Sequence, residues 1–156
     1  MISGKVTVPR LVRIINRTGS MYRADQAKCN DLDLNQVHFY YIGTLHRHPG
    51  ISQDELARRL YLDKSNVTRH LSVLESKGIV ERRQSEVDRR VINVYPTEKL
   101  EELYPKVREV LREWNEYIIQ DLEPEEVELL TGLLLKVAQR AAEYAERDLD
   151  RDEGAE

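Results

Sequence analysis

The residues best suited to chemistry lie between Ser52 and Pro96, and the chemistry they suit is hydrogen bonding to an anionic polymer rather than bond making. A helical step of about 100° per residue from Val67 places Leu71 and Leu74 within about 40° of it, a single buried stripe. Ser65, Arg69, Ser72 and Ser76 then lie opposite, Asn66 and Thr68 sit on the flanks, and Lys64 stands at the start. Short Ser and Thr side chains let such a helix approach a surface closely. Arg69 has the fork geometry for a bidentate contact to guanine. Lys64 suits a phosphate, and the free N–H groups at the helix start suit a phosphate or a base edge. For Ser65, Asn66 and Thr68, phosphate and base contacts stay undistinguished. Further along, Asp88-Arg89-Arg90 forms a charged extension that no core requires. An arginine there suits the strongly negative minor groove of duplex DNA. Asp88 is expected to pair with an arginine and hold that extension, while Arg82 and Arg83 at its base can reach phosphate.

These residues need a scaffold, and the surrounding pattern predicts one. Ser52-Gln53-Asp54-Glu55 reads as a capping box, with Ser52 as N-cap and Glu55 reaching back to its N–H. Ile51 and Leu56 flank it as a hydrophobic staple. The helix it opens must be short, because Asp63 offers a fresh N-cap three residues after Leu60. A second helix is expected from about Lys64 to Lys77, ended by Gly78 in the left-handed conformation. The period then changes to that of strands, over Ile79 to Gln84 and Val91 to Tyr95, with a polar hairpin at Ser85 to Arg90. Pro96 ends the second strand and Thr97 can cap another helix. Helix, tight turn, helix and hairpin place the first helix across a DNA backbone and the second in the major groove.

Outside this segment the periodicity is helical. Val8, Leu11, Val12, Ile15 and Tyr22 predict a helix to about Ala27, with Cys29 to Asp33 as a polar loop. Leu34 to His48 reads as another helix, stopped by His48-Pro49-Gly50. Leu100, Leu103, Val107, Val110, Leu111, Trp114 and Ile118 predict a long helix. Pro124 restarts the pattern with Val127, Leu130, Leu134, Val137, Ala141 and Tyr144. Leu129, Leu133 and Leu135 widen the stripe of this last helix beyond one face, as a buried or shared helix requires.

The net charge of −4 is an average over unlike parts. Residues 1–51 carry 7 basic and 3 acidic groups, and residues 52–97 carry 9 and 7. Residues 98–156 carry 8 basic and 18 acidic groups, a balance of −10. A basic front and an acidic back permit a DNA-facing surface without a basic protein overall. No apolar run approaches the roughly 18 residues of a membrane span. The single cysteine and the absence of a signal-like start suggest a reducing, cytoplasmic setting. There is no phosphate-binding glycine loop, nucleophile motif or paired metal-ligand spacing, so an enzyme is not expected and no cofactor is implied.

The stretch SQDELARRLYLDKSNVTRHLSVLESKGIVERR, followed by DRRVINVYPTEK, resembles the MarR family (multiple antibiotic resistance regulators). The family's Asp-x-Arg in the wing falls on Asp88 and Arg90, and its Leu-Thr after the wing appears as Pro96-Thr97. Leu122-Glu123-Pro124-Glu125-Glu126 is similar to the family's entry into its last helix. The resemblance implies a mainly α fold with a small β-hairpin wing: a winged helix-turn-helix between long N- and C-terminal dimerisation helices. It divides the chain into 1–33, an N-terminal dimerisation helix and loop; 34–97, the DNA-binding domain; and 98–147, the C-terminal dimerisation helices. An acidic tail at 148–156 is expected to be disordered. The implied function is a regulator of transcription, a repressor, that binds a pseudo-palindromic duplex as a homodimer. A small aromatic or anionic effector is also implied, and Tyr22, Tyr40, Tyr41 and Trp114 are the candidates for its pocket.

Cys29, His38, His46 and His48 cluster in sequence, but their spacing matches no standard zinc pattern, and no metal site is expected. Cys29 reads as a plain loop thiol with only Lys28 beside it to stabilise a thiolate. The rival of a different class is a winged-helix module that binds protein, which would expose aromatics on the second helix.

Overall fold

The computed structural model describes residues 6–29 and 32–153, with side chains placed for 6–27 and 32–144. Its elements run α1 (Val8–Cys29), α2 (His38–Arg47), β1 (Ile51–Ser52), α3 (Gln53–Leu60), α4 (Lys64–Ser76), β2 (Val80–Gln84), β3 (Ile92–Pro96), α5 (Glu98–Ile119) and α6 (Pro124–Glu153). The chain divides into two compact units, Met1–Asn115 and Glu116–Glu156.

The first unit holds the core. Phe39, Tyr41, Ile42 and Leu45 of α2, Leu56 of α3, Val67, Leu71 and Leu74 of α4, Val94 of β3, and Leu100, Val107 and Val110 of α5 are all buried there. Most are aliphatic or aromatic groups at three- and four-residue helical steps, the periodicity that predicted the helices. The strands form one antiparallel sheet in the order β1-β3-β2. Ile51 pairs with Val94, and Arg82 also pairs with Val94 from the other side. β1 was not anticipated: two residues are too few to show a period. It seats the start of α3 on the wing.

In the first unit two helix boundaries and one hydroxyl partner also differ from expectation. α1 continues to Cys29, so that residue closes the helix instead of opening a loop; its side chain lies outside the described residues. α2 begins at His38 rather than Leu34, because the Asn35 side chain accepts from the Val37 N–H at 2.8 Å and builds a local turn first. Thr97 does not use its hydroxyl as a cap: Oγ1 donates to the Gly78 carbonyl at 2.7 Å and ties the start of α5 to the turn after α4. Gly50 and Gly78 have φ of 79° and 69°. At Gly50 a Cβ would also come within 2.9 Å of the Tyr95 ring, so that corner requires glycine twice over.

The second unit comprises the end of α5 and α6. Leu129, Leu130, Leu133, Leu134, Leu135 and Val137 on α6 are all exposed. α6 extends through 148–153, and residues 154–156 of the acidic tail lie outside the described residues. No helix among the described residues is long and apolar enough to cross a membrane.

Candidate nucleic-acid interface

Three residues join α3 to α4, and each has a defined task. Tyr61 takes the left-handed conformation at φ 52°, closing α3. Leu62 N–H donates back to the Ala57 carbonyl at 3.0 Å. Asp63 caps α4 by accepting from the Asn66 N–H at 2.8 Å. At the other end of α3 the Ser52 hydroxyl accepts from the Glu55 N–H at 3.1 Å, as the sequence predicted. The return bond of the capping box does not form. Glu55 pairs instead with Arg58 and Arg59, both at 2.9 Å, because two cations one turn ahead compete for its carboxylate.

α4 buries the predicted stripe: Val67, Leu71 and Leu74 are at most 1% exposed. Ser65, Thr68, Arg69 and Ser72 are exposed on the other side, with Asn66 half-buried. Thr68 Oγ1 donates to the Lys64 carbonyl and Ser72 Oγ to the Thr68 carbonyl, each at 2.9 Å. A carbonyl only accepts, so both hydroxyl protons point into the helix and oxygen lone pairs face outward. Arg69 Nη2 donates to Asn66 Oδ1. The Lys64 ammonium sits 3.1 Å from Asp54 Oδ2, an exposed pair across the two helix starts.

The wing cations fall into two classes. Arg82 is held by Glu75: its backbone N–H and Nε reach Oε1 and Oε2 at 3.1 and 3.0 Å, and Nη2 reaches Oε2 at 2.6 Å. Those bonds pull the Glu75 carboxyl below the usual range. Arg82 Nη2 also donates to Ser72 at 3.2 Å, so the strand and the outward face of α4 are fastened together. The structure therefore gives Arg82 an intramolecular partner where a phosphate contact was expected. Glu75 was missed because a helix-to-strand pair leaves no periodic signal. Arg83 pairs with Glu81 at 2.8 Å and lies over the Tyr95 ring. Arg89 and Arg90 are exposed at the tip, and neither side chain meets a carboxylate among the described residues.

Asp88 holds the wing, but not by pairing with an arginine side chain. Its Oδ1 accepts from the Arg90 backbone N–H at 3.0 Å and its carbonyl from the Val91 N–H at 2.9 Å. A carboxylate two residues before an N–H is close enough to form an Asx turn, which needs no flexible partner.

The four aromatic residues expected to line one pocket are not equivalent. Tyr22 and Trp114 stack, ring centres 5.4 Å apart, and the Tyr22 hydroxyl donates to Glu113 at 2.9 Å. Burial, ahead of that bond, pushes the Tyr22 phenol up. Tyr40 is partly exposed beneath the Arg23 guanidinium, 4.7 Å from the ring centre. Tyr41 is wholly enclosed in the core, where burial pushes its phenol up to about 12, and it lines no open cleft. One residue of helical step, about 100°, separates an outward from an inward tyrosine. Sequence reasoning missed Arg23, which is 3% exposed with Nε buried and without a hydrogen-bond partner. A cleft of about 490 Å³ instead opens beside α4, between His38, Arg69, His70 and the Asp33–Lys77 pair. Burial holds the His38 imidazole down at about 4. Among the described residues, no group of three or more His, Cys, Asp or Glu is placed to hold a metal ion.

Comparison with known proteins places this arrangement. Residues 34–92 match the model of the MarR family. The chain is 28% identical over 146 residues to the uncharacterized HTH-type transcriptional regulator YybA of Bacillus subtilis (strain 168), covering 89% of this chain and 97% of that one. Its fold superimposes on the crystal structure of MarR with a TM-score of 0.82 at 26% identity, over 94% of this chain and 99% of the other. A MarR family regulator from Listeria monocytogenes, complexed with a 26mer DNA, matches with a TM-score of 0.85 at 23% identity, over 94% and 96% of the two chains. That last likeness is one of fold.

Proposed function

We propose that this chain is a transcription regulator of the MarR type, that it binds a pseudo-palindromic DNA operator as a homodimer and represses there, and that a small aromatic or anionic effector releases it. The observation that carries this reading is the outward face of α4 beside the wing. Arg69, the Thr68 oxygen and the Ser65 hydroxyl stand on a helix held by its own cap, and the tip arginines 89 and 90 meet no carboxylate among the described residues. An unpaired arginine pair on a rigid turn fits a minor groove, and Arg69 fits guanine O6 and N7 in the adjoining major groove. The inward hydroxyl protons favour Thr68 as an acceptor from a base amine over a donor to phosphate. A protein of the same fold from Listeria monocytogenes is complexed with a 26mer DNA, which supports DNA as the partner.

A homodimer is supported by the leucines of α6. A stripe of that size left in water is unusual for a folded monomer, and a second copy is the natural cover. Two copies would set two α4 helices about one DNA turn apart. The effector reading rests on Arg23: a buried guanidinium over Tyr40, next to the Tyr22–Trp114 stack, with one N–H unused, suits an aromatic carboxylate. The rival, a winged helix that binds protein, lacks the exposed aromatics on α4 that such an interface uses.

Binding to the duplex upstream of the protein's own gene, titrated against salt and compared with random duplex, tests the proposal. Specific binding that weakens steeply with salt is expected, and equal weak binding to both duplexes overturns it. Arg69→Ala should cut the preference by roughly 10- to 100-fold, a loss of about 1–3 kcal/mol. Lys64→Ala should weaken both duplexes alike.

A further inference from the structure

The proposed reading of α4 makes Arg69 a base contact, and the inference here rests on it. An arginine side chain has four rotatable bonds, so an exposed one must be ordered on binding. In this protein a chain of hydrogen bonds does that ordering in advance. Asp63 Oδ1 accepts from the Asn66 N–H at 2.8 Å, and Asp63 Oδ2 accepts from Asn66 Nδ2. Asn66 Oδ1 then accepts from Arg69 Nη2.

The direction of this chain is not arbitrary. A carboxylate only accepts and a guanidinium only donates. An amide between them has one orientation that satisfies both, with NH₂ toward Asp63 and oxygen toward Arg69. The carboxylate therefore fixes the amide, and the amide fixes one N–H of the guanidinium while leaving others for a base. The three residues are at positions 63, 66 and 69, successive three-residue steps that put each side chain within reach of the next. We infer that Asp63 is a positioning residue for operator specificity, acting through Asn66 to hold Arg69 in its reading pose.

Asp63 is also the N-cap of α4, so removing it outright would confuse positioning with folding. Asp63→Ser separates them: a serine hydroxyl still caps the Asn66 N–H but has no second oxygen for Nδ2. Asp63→Asn is the second variant, since its capping oxygen leaves an NH₂ facing the NH₂ of Asn66. The probe is the duplex that the wild-type protein selects from a randomised pool, against random duplex of equal length. Both variants should melt as the wild type does. Discrimination should fall about two- to tenfold, the cost of ordering one released side chain. Random-duplex affinity should hold or rise, because a negative charge near phosphate is gone. In an Arg69→Ala background the same substitutions should cost no further discrimination.

Wild-type discrimination in both variants overturns the inference, and so does an equal loss in the Arg69→Ala background. If Arg69→Ala discriminates like the wild type, the underlying reading of α4 fails and takes the inference with it. If Arg69→Ala loses discrimination and neither Asp63 variant does, the inference alone fails.

Discussion

α4 and α6 both carry a leucine-rich stripe, and the fold covers only the first. On α4, Leu71 and Leu74 are 0% exposed, enclosed in a core shared with α2, α3, β3 and α5. On α6, Leu129, Leu133 and Leu135 are 64%, 51% and 57% exposed. The narrow stripe of α4 leaves an opposite face free for polar groups, and those polar groups are the candidate DNA surface. The broad stripe of α6 shares the helix with a charged face that carries Glu125, Glu128, Lys136 and Glu143, yet both faces are exposed. One helix hides its apolar stripe within its own chain; the other leaves its stripe exposed.

The comparison can be broken most directly on α6. Leu130→Glu with Leu134→Glu should abolish self-association, read as monomer mass by sedimentation, and weaken operator binding by about 100-fold or more through lost bivalency. A wild-type chain that already sediments as a monomer at micromolar concentration would leave the stripe without a partner and sink the homodimer. On α4, Leu71→Ala should cost about 2–5 kcal/mol in urea unfolding, since the cavity forms in a closed core. The unfolding midpoint of a Leu133→Ala variant should instead depend on protein concentration, as a shared surface requires.

The smallest effect concerns protons. His38 is buried against His70 of α4, with a folded-state value of about 4 against an ordinary 6.5. The unfolded chain thus takes up the proton first. The contribution of His38 is full above about pH 6.5 and is lost as pH falls towards 4. His38→Gln should make stability less dependent on pH across that window, measured by thermal melts. An unchanged pH profile would mean that His38 is not dry beneath α4.

Much of the winged segment was legible in the residues. Ser52 and Asp63 cap as expected, Gly78 ends α4 in the left-handed region, and Val67, Leu71 and Leu74 are the buried stripe. Each depends on neighbours within about four positions, so local pattern suffices. The fates of the charged side chains were not legible. Arg82 and Arg89 look alike in sequence, yet one is clasped by Glu75 and the other is at an open tip. Tyr40 and Tyr41 looked interchangeable as pocket residues, and only one of them meets solvent.

The residues alone set the helix, turn, helix and hairpin order of the winged segment, the caps of α3 and α4 and the apolar face of α4, because capping and periodicity are short-range. Packing in three dimensions decided that Glu75 clasps Arg82 while Arg89 and Arg90 stay open, that Lys77 takes Asp33, and that Arg23 lies over Tyr40. Those outcomes depend on the choice of partner among several within reach, and that choice is made by distance in the folded molecule.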